Sequence, residues 1–187
     1  MKVIHPIEYY ELKESEVPVF LAWPIRWTID WHERAIEILW DTKDPIVVFS
    51  PKRMNWSKIL TPWKEDWVDR QRQWEMYYLR NVVEKGGQVL FWLEQQKEGL
   101  PESHWIQKKS YWAISHMELG QRMVTHPDNI VVGIDPDYNE RSTLVNDLRQ
   151  NRYLDLSRPY NPKRLEVFTV SESLEDTCTR TKILLWI

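Results

Sequence analysis

The sequence predicts an α/β fold: a single doubly wound parallel sheet of about five strands with helices on both faces. Three observations predict it. Short β-branched apolar runs recur along the chain, stretches with helical spacing separate them, and the connections are long enough for crossover helices. The first run is VPVFLA (17–22), which follows an acidic lead; IVVFS (46–50), QVLFWL (88–93) and IVVGI (130–134) repeat its character. A fifth, LEVFT (165–169), is less purely apolar and suits a strand nearer the sheet edge.

The intervening helices follow from spacing and caps. Asp30 and Glu33 make a capping box, after which Trp31, Ala35, Ile38 and Leu39 share one face, so a helix is expected over about 30–41. Trp74, Tyr78 and Val82 recur every four residues beside Glu75, Leu79 and Val83, which places a longer helix over about 65–84, ended by Gly86-Gly87. Residues 105–124 carry Trp112, Leu119 and Met123 with few breakers and stop before His126-Pro127. Ser142 or Asn139 is expected to cap a helix containing Leu144, Val145 and Leu148, and Ser171 or Ser173 to start a last helix toward Ile187.

Composition narrows the function classes. A chain of 187 residues suits one domain spanning 1–187. With 25 Lys+Arg against 28 Asp+Glu, no global charge draws it to polymeric nucleic acid or anionic lipid. The single cysteine, Cys178, excludes an internal disulfide framework and a multi-cysteine zinc site and suits a reducing cytoplasm. The N-terminal stretch lacks the pattern of a signal peptide and no run approaches 18 apolar residues, so a cytoplasmic location without a membrane span is expected. No HExxH and no close His/Asp cluster occurs, so neither metal nor cofactor is expected; no glycine-rich dinucleotide fingerprint and no GKS/GKT string is present.

Twelve Trp, eleven of them between Trp23 and Trp112, suit either a core built from few residues or a pocket lined for a flat ligand. In an open α/β sheet ligands collect beyond the carboxyl ends of strands, and four segments fall there. AWPIRW (22–27) presents Arg26 and two indoles after Pro24. SPKRMNW (50–56) carries Lys52 and Arg53, able to grip a phosphate or to form a solvated turn. RQRQWEMYYL (70–79) holds Glu75 one turn from Arg72. SHMELGQR (115–122) sets Glu118 between Met117 and Leu119, with Gly120 permitting close backbone approach. A carboxylate facing a cleft can attack a sugar carbon, because it stabilises an oxocarbenium-like centre and then bonds to it. The plainer alternative is a solvent-facing Glu118 paired with Arg122 at i,i+4. His116 is the neighbouring acid/base candidate.

These segments together resemble the nucleoside 2-deoxyribosyltransferase superfamily, in its divergent deoxyribosyltransferase-like branch. VFLAWPI (19–25) is similar to that family's VFLAGPI strand and loop, DW (30–31) to the DW of its first helix, SPKR (50–53) to its NPRR-type turn, RQWE (72–75) to its RQVEWE-type helix start, and MELG (117–120) to its LELG motif; LFW (90–92) and IVVGI (130–134) fall where it has strands. The resemblance implies a flavodoxin-like fold and cleavage or exchange of N-glycosidic bonds in 2′-deoxynucleosides or deoxynucleotides. It implies Glu118 as nucleophile, Trp23, Pro24 and Ile25 around the base or sugar, a part for Arg53 and Glu75 in arranging the pocket, and self-association. Trp-rich walls, Trp92 among them, would stack on the base, while Arg26, Lys52 or Arg53 meets a 5′-phosphate.

Two departures stand against this pattern. Trp23 replaces the loop glycine and narrows the approach to the backbone, and Gly87-Gln88 stands where an AD pair often assists proton transfer. Leaving-group protonation then falls to His116, or the pocket binds a nucleotide without cleaving it, which is the alternative reading. A third is a protein that uses exposed aromatics as an interaction surface.

Overall fold

The computed structural model describes residues 1–22, 31–40, 45–52, 64–95, 119–122, 125–138, 141–153 and 170–186. In chain order the principal elements are β1 (Lys2–Ile4), β2 (Val17–Ala22), α1 (Trp31–Trp40), β3 (Ile46–Phe49), α2 (Lys64–Glu84), β4 (Gln88–Leu93), β5 (Ile130–Ile134), α3 (Arg141–Tyr153) and α4 (Leu174–Leu185). All the strands pair in parallel in the order β1-β3-β2-β4-β5. Helices cover both faces, so the doubly wound, flavodoxin-like architecture holds.

Apart from Lys2 in β1 and Gln88 in β4 the strands are apolar because both faces of the sheet are covered, and β3, β4 and β5 are buried at every position. Alternation then sorts side chains between two layers. Val19, Leu21, Val48, Leu90 and Trp92 meet Trp31, Ala35 and Leu39 of α1 and Leu174 and Cys178 of α4. Phe20, Phe49, Val89, Phe91, Ile130 and Val132 face α2 and α3 through Trp74, Tyr78, Val82, Leu144 and Leu148. Phe49 stacks on Tyr78 at 4.2 Å between ring centroids, and Trp74 lies 5.0 Å from Tyr78. Trp31, Trp74 and Trp92 are thus core residues, the first two in the positions that their apolar spacing assigns.

Local signals set the helix ends. After α2 the Gly87 amide donates to the Val82 carbonyl and the Gly86 amide to Val83, a Schellman closure that needs the positive φ of 74° at Gly86. Ser173 caps α4, its hydroxyl accepting the Asp176 amide at 3.1 Å. Ser171 instead makes a parallel bridge to Gly133 at the β5 edge. Ser142 lies inside α3, one residue past its start, so it does not cap that helix; Asn139 and Asp30 lie outside the described residues.

The sequence reading missed β1, which pairs with β3 at the sheet edge. Three residues are too few to show a period, and the Lys2 side chain interrupts the apolar run. The expected strand at 165–169 lies outside the described residues. Among those described no helix is long and apolar enough to cross a membrane.

Gly133 marks a close contact between the sheet and α4. A Cβ there would collide with the Thr177 hydroxyl of α4 and come within 2.6 Å of the Trp92 ring. Gly133→Ala is expected to lower stability by about 2–3 kcal/mol, read from the urea midpoint at unchanged slope. A midpoint equal to wild type would contradict this packing.

Candidate functional site

The strand order marks the place where a sheet of this kind holds ligands. From β2 the chain steps to β3 on one side, then crosses β2 to reach β4 on the other. The connections leaving β2 and β4 therefore part over the carboxyl ends of two adjacent strands, joined in register as far as Ala22 and Phe91. α1, which follows β2, packs on one face, whereas Leu119, in the connection from β4 to β5, is buried on the other. Such a parting of connections is where open α/β sheets hold their ligands.

At the neighbouring carboxyl end of β3 a polar network ties four segments together. His32, in the first turn of α1, is 2 % exposed and its Nδ1 lies 2.9 Å from Ser50 Oγ, just past β3. The Ser50 amide donates to the Ile4 carbonyl, and His5 Nδ1 lies 3.2 Å from the Lys52 carbonyl, so the segment after β1 is held as well. Gln71 of α2 donates through Nε2 to the Pro51 carbonyl at 3.3 Å and to Glu75 Oε1 at 2.7 Å. Glu75 is 6 % exposed and also receives Arg72 at 3.5 Å.

The electrostatics follow from burial. Desolvation, assisted by the His5 charge, holds the His32 imidazole at a pKa of about 3, so it is neutral at physiological pH. The Ser50 oxygen also receives the Lys52 amide at 3.4 Å. Assigning the Ser50 proton to His32 Nδ1 uses both groups and leaves Nε2 with a buried proton, for which no partner is present among the described residues. Partial burial lowers the Lys52 pKa, and its ammonium pairs with Glu33 at 2.6 Å. Lys52 is thereby partly neutralised as an anion ligand. The network is a scaffold: it fixes the chain at Pro51-Lys52 and gives Glu75 a set position, with Gln71 and Arg72 among its partners.

Of the residues expected at the site, Glu75 stands in this network. Trp92 is 5 % exposed on the α1/α4 face, with its ring against Gly133, where it packs the core. Glu118, His116, Trp23, Pro24, Ile25, Arg26 and Arg53 lie outside the described residues. Leu119, which follows Glu118, is 2 % exposed. A Cβ on Gly120 meets no described atom within 4 Å, so no close backbone approach among the described residues explains that glycine. Gln88 opens β4 at the amino end of the sheet, its amide directed to the Asp128 carbonyl at 3.4 Å. Gly87-Gln88 therefore lies at the amino end of the sheet, opposite the carboxyl ends of the strands.

Sequence reasoning missed His32, Ser50 and Gln71. The available signal was a histidine directly after the DW pair and a serine closing the second apolar run, but nothing local says that they meet. Among the described residues no group of His, Cys, Asp and Glu has the arrangement of a metal site. Cys178 is in the core, and burial pushes its thiol up to about 12, so it stays protonated.

The fold is that of a flavodoxin-like α/β domain, of the general catalytic kind compatible with glycosidase and transferase chemistry. Comparison with models of known protein families finds no match, and none of the curated proteins matches this sequence.

Proposed function

We propose that the chain cleaves or exchanges the N-glycosidic bond of a 2′-deoxynucleoside or 2′-deoxynucleotide, with Glu118 as nucleophile. The observation that carries the reading is the parting of connections above β2 and β4. The segment leaving β2 contains Trp23, Pro24, Ile25 and Arg26, and the connection leaving β4 contains His116 and Glu118. In the sequence the base-holding candidates thus follow β2 and the sugar-attacking ones lie between β4 and β5, and the carboxyl ends of β2 and β4 are adjacent.

In the proposed reaction a Glu118 carboxylate oxygen bonds to C1′ while the C1′–N bond breaks, and its electron pair leaves on the base with a proton supplied by His116. Water then attacks C1′, the ester to Glu118 breaks, and the water proton returns to His116. A second base in place of water gives transfer. Indoles near the rim stack on the base, and Glu75 and Arg53 arrange the pocket.

Chromatography of free base after incubation with a panel of deoxynucleosides and their 5′-monophosphates tests the activity. Base release, or base exchange when a second base is added, supports it. Saturable binding across the panel without either product would overturn it in favour of a nucleotide-binding module. If the 5′-phosphate is bound, Arg53→Ala is expected to lower the preference for phosphorylated over unphosphorylated substrate about ten-fold in kcat/KM. Equal losses on both substrates would remove Arg53 from that role.

A further inference from the structure

Two features at the carboxyl ends of β1 and β3 are not accounted for by folding alone. The first is a donor. His32 is 2 % exposed, its Nδ1 faces Ser50 Oγ at 2.9 Å, and its Nε2 is buried with no partner among the described residues. A buried N–H without an acceptor costs free energy that the scaffold does not return, so the group calls for an explanation. The second is strain. The Glu8 amide donates to the His5 carbonyl at 3.1 Å, which closes a tight turn, and Ile7 inside that turn has a φ of 74°. Left-handed backbone is unfavourable for a β-branched residue, and Ile7 belongs to neither core cluster that would offset it. The turn is held from both sides, by His5 Nδ1 at the Lys52 carbonyl and by Trp74 Nε1, which donates to the Glu8 carbonyl at 2.9 Å. Strain kept in place by its neighbours collects at ligand sites.

We infer that His32 Nε2–H is a ligand-binding donor and takes an uncharged acceptor of the nucleoside, either a carbonyl oxygen or ring nitrogen of the base or a hydroxyl of the sugar. The inference rests on the proposed nucleoside chemistry for the identity of its ligand. Cα–Cβ bonds in a helix tilt toward the amino terminus, and His32 stands in the first turn of α1, so its ring leans toward the helix start at the carboxyl end of the sheet. Ser50 fixes what the ring offers. With the Ser50 proton on Nδ1, the ring's own proton is on Nε2, and enclosure keeps the imidazole neutral. Neutrality bears on the class of ligand. Lys52 is set against Glu33 and Arg72 against the buried Glu75, so an anion would meet two carboxylates whose countercharges are already engaged. An uncharged acceptor meets no such opposition.

The test is a titration of the Glu118→Ala protein, which keeps the ligand intact, with thymidine, deoxycytidine, deoxyadenosine and deoxyguanosine. It is followed by calorimetry and by the imidazole nitrogen and N–H proton resonances, with circular dichroism to show that each variant is folded. Without ligand, His32 is expected as the Nε2–H tautomer at pH 7. Bound nucleoside should shift the Nε2–H resonance and slow its exchange with water; free bases and 2-deoxyribose as separate titrants then assign the acceptor to base or sugar. In the same background His32→Asn, whose amide reaches Ser50 and extends no further, should weaken nucleoside binding about ten-fold. His32→Gln places an amide nitrogen where Nε2 stood and should stay within about three-fold of the parent. Nucleoside binding that leaves Nε2–H unmoved, an Nδ1–H tautomer, or equal losses in the two variants overturns the inference and leaves the glycosidic chemistry standing. Absence of both nucleoside binding and wild-type base release across the panel overturns that chemistry, and this inference with it.

Discussion

Replacing Glu118 by alanine is expected to lower base release or exchange by 10³-fold or more while leaving the far-ultraviolet spectrum and the unfolding midpoint close to wild type. The size follows from the proposed role. A nucleophile that forms the covalent intermediate supplies stabilisation present only on the reaction path, and a 10³-fold loss corresponds to about 4 kcal/mol of transition-state free energy. The loss should appear in kcat and kcat/KM alike, because the ground-state contacts to the base are made by other residues. Glu118→Gln separates charge from shape: it keeps the volume and a carbonyl oxygen but has no carboxylate to bond to C1′, so it should be as inactive as alanine. Full turnover by either variant would eliminate the assignment, and a salt link to Arg122 would then be the simpler account of this residue.

His32 carries the second large effect, on stability. Its pKa is about 3 in the folded chain, against about 6.5 for an unperturbed imidazole, so the unfolded chain takes up the proton first as pH falls. Stability from this group is complete above about pH 6.5, declines as the pH drops below that value, and is exhausted near pH 3. The slope approaches 1.4 kcal/mol per pH unit, which amounts to about 2 kcal/mol between pH 7 and pH 5. The cause is geometric: the ring is enclosed, Trp31 lies against it at 4.0 Å between centroids, His5 adds a like charge, and the nearby Glu33 is occupied by Lys52. Denaturant unfolding of wild type and His32→Gln at pH 7 and pH 5 checks this. The difference between the two proteins should shift by about 2 kcal/mol in favour of the variant at the lower pH, because glutamine does not titrate. Parallel pH profiles would show that His32 protonates as easily in the folded chain as in the unfolded one.

Much of the architecture was legible because its signals are local. Val19, Leu21, Val48 and Leu90 sit in apolar runs of aliphatic and aromatic residues, and a strand covered on both faces requires such runs. The four-residue recurrence of Trp74, Tyr78 and Val82 put a buried stripe on α2, and Gly86-Gly87 ended that helix by a closure that positive φ makes possible. Glu75 was recognised from its place beside this stripe. What the periodicity could not supply was its partners, since the Pro51 carbonyl reaches it through Gln71 only after β3 and α2 have docked. Trp92 shows the same limit from the other side. An indole in a strand reads equally well as pocket wall or core, and alternation along β4 put it against Gly133 and Thr177.

The amino-acid sequence by itself determined β2 to β5, α1, α2 and α4 and the apolar face of each helix, because those properties arise from side chains a few residues apart. Only the tertiary structure decided that Lys2–Ile4 closes the edge beside β3, that His32 meets Ser50 across eighteen positions, and that Tyr10 is gripped by Tyr78 across sixty-eight. Such contacts depend on strand order. A three-residue edge strand and a buried imidazole carry no period of their own, and they acquire a role when the sheet brings distant chain segments within hydrogen-bond reach.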